Sequence, residues 1–178
     1  MEFDLLGWPE DEPTLELDYR TFGYAGKFVM SNTGKAVTTD SGEVIAAVAF
    51  SADRTDPSTC WLRYVTVRND RRGERIGPRL VRFTVDCARD RGFDRVKIAV
   101  NNPFAYQALY RAGFAFVGEE TGLAELVLAW PGERSPEAYR AGLEVFRERD
   151  LSPEEERFLA ARRAADPPDI LDEAAEET

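Results

Sequence analysis

The stretch VTVRNDRRGERIGPRL, residues 65–80, decides how this chain is read. Val65 and Val67 alternate as strand residues do, residues 71–77 are polar and punctuated by glycine, and Pro78 stands where a helix is expected to begin. A strand that feeds a helix through such a turn builds an anion site. Backbone N–H groups of the turn and of the first helical turn have no intrahelical acceptor, and with the positive end of the helix dipole they suit a pyrophosphate.

Working outward, the first fifty residues are rich in strand formers, with strands expected at 14–19, 27–30, 35–39 and 43–51 and no strong amphipathic helix. Ser31-Asn32-Thr33-Gly34 and Asp40-Ser41-Gly42 turn the later ones into hairpins. A further strand, 60–67, runs into the opening motif. Beyond it a helix is expected over 78–91, with Leu80, Phe83, Thr84 and Cys87 on its apolar face, Asp86, Asp90, Arg79, Arg82 and Arg89 on its solvated face, and Gly92 as a left-handed cap. A strand over 95–100 ends at Asn101-Asn102-Pro103, a short helix covers 103–112, and strands at 114–117 and 124–130 close the series. After Pro131-Gly132, Ser135-Pro136 and Ser152-Pro153-Glu154-Glu155 each place a serine cap before a helix, giving helices over 136–149 and 153–165. Tyr139, Leu143 and Phe146 form one apolar line there and Phe158 with Leu159 another, suited to docking on the sheet or on a second copy of the chain. The acidic residues after 165 are expected to fray.

Composition removes whole classes of chemistry. The 178 residues include no histidine, which excludes Ser–His and Cys–His nucleophiles and argues against a metal site. Cys60 and Cys87 each lie in an apolar segment and read as small core residues. A net charge of −10, from 33 acidic and 23 basic residues, disfavours nucleic acid as a partner. It also suits a salt-rich cytoplasm, where screening removes the self-repulsion. The chain has no apolar run long enough for a membrane span, and its acidic start is unlike a secretory signal, so a cytoplasmic protein without a membrane partner is expected.

The order of elements, with the motifs that punctuate it, resembles the GNAT superfamily of N-acetyltransferases over about residues 42–130. That family's cofactor motif, Q/R-x-x-G-x-G/A, corresponds to Arg72-Gly73-Glu74-Arg75-Ile76-Gly77, and its Asn-x-x-Ala run ending in Gly-Phe is met by Asn102, Ala105, Gly113 and Phe114. The resemblance implies an α/β fold: a mixed, mostly antiparallel central sheet flanked by helices, in which the strands holding Val67 and Val100 splay apart around the cofactor. A domain over 1–131 would then carry a helical extension and acidic tail over 132–178.

The resemblance further implies acetyl-CoA or another acyl-CoA as co-substrate, no metal, and transfer of the acyl group to an amine on a small molecule or peptide. By position, backbone groups of Val65, Thr66 and Val67 pair with the pantetheine amides. Backbone N–H groups of Gly73, Glu74, Arg75, Ile76 and Gly77 hold the pyrophosphate, with Arg72 nearby, and Asn102 contacts the cofactor. Two departures stand out. Arg75 replaces the first motif glycine, and Pro78 removes a donor just past the motif. Leu109 stands where many relatives carry the tyrosine that protonates the leaving thiolate. Tyr110, next along, has two readings, a catalytic acid or a helix tyrosine with a satisfied hydroxyl, and Tyr106 one turn earlier is the fallback. Where several relatives carry a glutamate base this chain has Lys97, which leaves Glu119, Glu120 and Glu125 as carboxylates near the last strands, or water as the base. A binding module without turnover is the alternative function, and a homodimer stays open.

Overall fold

Small and β-branched residues build the strands that lead into the turn at residues 71–77. In the computed structural model, which describes residues 1–171, the chain forms two units, one holding Met1–Val96 and the other Lys97–Leu171. The fold class is as expected: mixed α/β, mostly antiparallel, with seven strands accompanied by helices.

In the first unit β1 (Glu2–Gly7), β2 (Gly34–Asp40), β3 (Glu43–Ala52) and β4 (Thr59–Val67) pair antiparallel in chain order, with Asp4 opposite Val37, Val37 opposite Ala47 and Ala47 opposite Thr66. Ile45 to Phe50 are wholly buried, which marks β3 as the centre of the unit. A short helix, α1 (Ala25–Phe28), precedes β2, and α2 (Ile76–Arg91) packs on all four strands. Gly92 ends α2 at φ 106°, as its position after the last apolar residue predicted. β5 (Arg95–Val100) then starts beside the start of β4, because Asp94 and Arg95 both donate their N–H to Ser58 O.

The strands expected at 14–19 and 27–30 are absent, and β1 was not anticipated. Residues 25–28 form α1 instead, and a buried cation ties down both ends of the segment. Lys35 Nζ, fully enclosed, donates to the carbonyls of Pro13 at 2.7 Å, Met30 at 2.7 Å and Thr33 at 3.0 Å, and to Thr33 Oγ1 at 3.0 Å. Carbonyls spent on an ammonium are not available to a ladder. Leu15 and Leu17 still bury as alternation demands, against Phe28, Val37, Ala47 and Ala49, but from an irregular segment.

In the second unit α3 (Pro103–Arg111) leads into the hairpin of β6 (Ala115–Glu120) and β7 (Leu126–Trp130), followed by α4 (Pro136–Arg147) and α5 (Pro153–Ala160). Both serine caps form, Ser135 Oγ accepting from Ala138 N–H and Ser152 Oγ from Glu155 N–H. Tyr139, Leu143 and Phe146 are buried on Tyr106 and its neighbours, so that apolar line is consumed within the chain. The expected fraying after 165 is corrected as far as Leu171. Arg140 binds Ala164 O, Ala165 O and Asp166, Arg134 binds Pro168 O, and Leu171 N–H reaches Arg111 O. The remainder of that expectation, residues 172–178, lies outside the described residues.

Candidate functional site

The turn after β4 takes the shape an anion cradle requires. A 3-10 turn at Asn69–Arg71 leads to extended Arg72, then Gly73 at φ 85° and Arg75 at φ 60°. Nothing lies within 4 Å of a Cβ built on Gly73, so that glycine is there for its backbone angle rather than for space. At Gly77 a Cβ would lie 3.4 Å from Val67 Cγ2, an ordinary contact, so α2 rests against β4 there without crowding. α2 starts at Ile76, two residues before the expected start, and Pro78 occupies its third position. The first intrahelical bond there is Arg79 N–H to Arg75 O at 3.4 Å, so Pro78 breaks none and only removes one of the free donors. No side chain caps this end.

Charge around the turn divides into two sets. Arg68 is paired with Asp70 and Glu43, and Arg71 with Asp40 and Glu74. Among the described residues no side chain pairs with Arg72, Arg75 or Arg79. Arg79 Nε is moreover buried with no hydrogen-bond partner, an orphaned donor beside an uncapped helix start. Arg79 is expected on a solvated face from its helical spacing, but its place in the first turn of α2 sets it at the turn. A pyrophosphate fits this arrangement, since it supplies the acceptors that the backbone and three guanidinium groups lack. An open groove of about 830 Å³ adjoins the turn, lined by Glu16, Asp18, Arg20, Glu43, Arg68 and Asp70 among others.

β4 carries a bulge. Tyr64 faces Ala49 and Leu62 faces Phe50, leaving Arg63 without a partner across the ladder. Past it, Arg68 N–H donates to Ile45 O at 2.8 Å. Antiparallel alternation then turns the backbone of Thr66 toward β3 and that of Val65 and Val67 toward the opposite edge. The recorded entry of β5 is at Ser58, the other end of β4. Cys60 is no nucleophile here: burial pushes its thiol up to about 12.

In the second unit Asn102 caps α3, its Oδ1 accepting from Ala105 N–H at 2.8 Å while Nδ2 donates to Asn101 Oδ1 at 3.2 Å. Tyr110 is 0% exposed, and its hydroxyl oxygen accepts from Phe116 N–H at 2.9 Å. Tyr106 donates to Tyr139 O at 2.8 Å, and burial, with Tyr110 adding to it, holds its hydroxyl far above the usual range. Leu109 is buried. Glu119 is exposed, Glu120 is exposed and paired with Arg149, and Glu125 accepts from Thr121 Oγ1.

A glycine-bearing turn that opens an uncapped, arginine-flanked helix is an arrangement suited to an anionic group. The family is shown by sequence: the model of the acetyltransferase (GNAT) family matches residues 2–114, and the chain belongs to that family. Among solved structures, an acetyltransferase of Bacillus subtilis in complex with CoA is 14% identical, with 71% of this chain and 95% of that chain covered and a TM-score of 0.55. Nourseothricin acetyltransferase is 24% identical over 55% of this chain, with a TM-score of 0.47, and an IAA acetyltransferase from Bacillus cereus is 23% identical over 55%, with a TM-score of 0.46. The match spans 64% of the nourseothricin enzyme and 76% of the Bacillus cereus one. Comparison with curated proteins finds no match.

Proposed function

We propose that this chain is an acyl-CoA-dependent N-acyltransferase that moves an acetyl group to a primary amine by direct attack, with residues 1–131 as the catalytic domain and 132–178 as a helical extension. The observation that carries the reading is the turn itself, where Gly73 and Arg75 at positive φ precede an uncapped helix and Arg72, Arg75 and Arg79 have no acidic partner. In a chain of net charge −10, three unpaired guanidinium groups at one turn call for an anionic ligand.

When bound, acetyl-CoA supplies the activated thioester. The turn N–H groups and the three arginines hold its pyrophosphate. Val65 and Val67 pair with its pantetheine amides, and Val65 N–H polarises the thioester oxygen. Positioning does most of the work, since a correctly held amine and thioester gain several orders of magnitude from proximity alone. We assign both proton transfers to water, because Tyr110 is enclosed and Glu120 is committed to Arg149. The acceptor is a small-molecule or peptide amine, the working compartment is the cytoplasm, and the charge is an adaptation to high salt.

Calorimetry with acetyl-CoA at high salt tests the first half of this reading, and an absence of binding ends it. Free-thiol release across a panel of amines tests the second. Binding without release on any amine favours the alternative, a module that senses acyl-CoA, for which Leu109 in the acid's usual place is the specific support.

A further inference from the structure

The face of the first unit that carries Tyr64 has a feature the cofactor reading does not use. Tyr64 stands on β4 beside Val65 and packs with Leu17 and Val44 around the Phe28, Val37, Ala47 and Ala49 cluster. Tyr24 leans over it, ring centroids 5.4 Å apart and tilted by 44°. Tyr24 is 58% exposed, and its backbone is left-handed at φ 59°, a conformation that bulky residues seldom hold and that gathers at ligand sites. The third member is a cation: Lys27 Nζ lies 5.6 Å from the centre of the Tyr64 ring. Among the described residues no carboxylate pairs with Lys27, so the ring face is the partner its ammonium has.

We propose that the Tyr24–Tyr64 pair is the subsite that receives the acceptor's primary ammonium group, and that Lys27 holds this place in the free protein; the proposal rests on the N-acyltransferase reading above. An alkylamine is protonated in neutral water, and an aromatic face attracts an ammonium through the ring quadrupole. The pose of Lys27 is the chain's own instance of that contact. The wall is also held in place. Lys35 Nζ grips Pro13 O and Met30 O, one on each side of the segment bearing Tyr24, and Leu15 N–H bonds Phe28 O at 2.9 Å. An acceptor that displaces Lys27 stands on the ring of the residue that precedes Val65, at whose N–H the thioester oxygen is expected to be polarised. It then loses a proton to water before attack.

The test uses the full chain with isotope-labelled tyrosine rings, titrated by NMR at constant ionic strength with n-butylammonium, and with butan-1-ol as the neutral isostere. Lys27→Met is expected to bind n-butylammonium about two- to thirty-fold more tightly than the unsubstituted protein, the span of cation–ring contacts from exposed to desolvated. The shifts should fall on the Tyr24 and Tyr64 resonances, and butan-1-ol should not reproduce them. Lys27→Met, Tyr64→Leu should lose the gain. Lys27 is exposed, so its loss leaves the core intact. Equal affinity with and without Lys27, equal response to butan-1-ol, or shifts elsewhere would each overturn the proposal. Acetyl-CoA calorimetry on the same samples separates the two readings. If acetyl-CoA binds while n-butylammonium leaves these rings unmoved, the subsite alone fails; if n-butylammonium behaves as expected and acetyl-CoA does not bind, the acyltransferase reading fails and takes with it the acceptor role of the rings.

Discussion

Arg75 holds a left-handed backbone at φ 60° where the family motif carries glycine. For an L-residue that conformation costs about 1–2 kcal/mol, part of which glycine would return through its floppier unfolded chain. Arg75→Gly is therefore expected to raise stability by up to about 1 kcal/mol in denaturant melts while weakening acetyl-CoA binding roughly three- to thirty-fold through the lost guanidinium. Tighter binding in that variant would mean that close backbone approach outweighs the charge. Tyr110→Phe and Glu120→Gln are each expected to leave kcat within about ten-fold, short of the 10²–10⁴ that a general acid or base supplies. A larger fall in either would restore that residue to the chemistry. Cys60 makes a pH-dependent contribution whose sign follows from burial. Its folded-state value, about 12, lies above the unfolded 9.0, so the contribution is intact below pH 9 and is lost as pH rises from there toward 12. The stability difference between the unsubstituted protein and Cys60→Ala should shrink over that window and stay constant below it.

At the scale of elements, sequence and structure agree where the bonds are local. Ser135 and Ser152 cap their helices, Gly92 ends α2, and β5 runs over the residues its alternation predicted, because each signal acts within a few residues of itself. The segment between Pro13 and Thr33 departs from its local alternation, and its ends are held by Lys35, a partner from β2 that no local pattern announces. Helix packing shows the same dependence on distant partners. A Cβ on Gly142 in α4 would lie 2.1 Å from the hydroxyl of Tyr106, which is buried and bonded to Tyr139 O. Gly142→Ala is expected to cost about 1–3 kcal/mol, read as a lowered midpoint in denaturant, because that ring has no room to retreat. An unchanged midpoint would show that α4 is free to shift.

At the scale of the molecule the governing quantity is charge. With 33 acidic and 23 basic residues the folded chain repels itself, and screening relieves that repulsion. Stability in urea is expected to rise with sodium chloride from low salt toward molar concentrations; a flat profile would refute salt adaptation as the reason for the composition. Among the described residues no helix is long and apolar enough to cross a membrane.

The sequence by itself determined the family, the order of strands and helices from β2 onward, and the turn at Arg72 to Gly77, because motif spacing, hydrophobic alternation and helix caps are all short-range properties. Only the tertiary structure decided what the residues in that frame are free to do. It consumed Arg68 and Arg71 in ion pairs while sparing Arg72, Arg75 and Arg79, enclosed Tyr110, and set Tyr24 over Tyr64. Each of these outcomes depends on burial and on partners distant in the chain, and no local pattern encodes either.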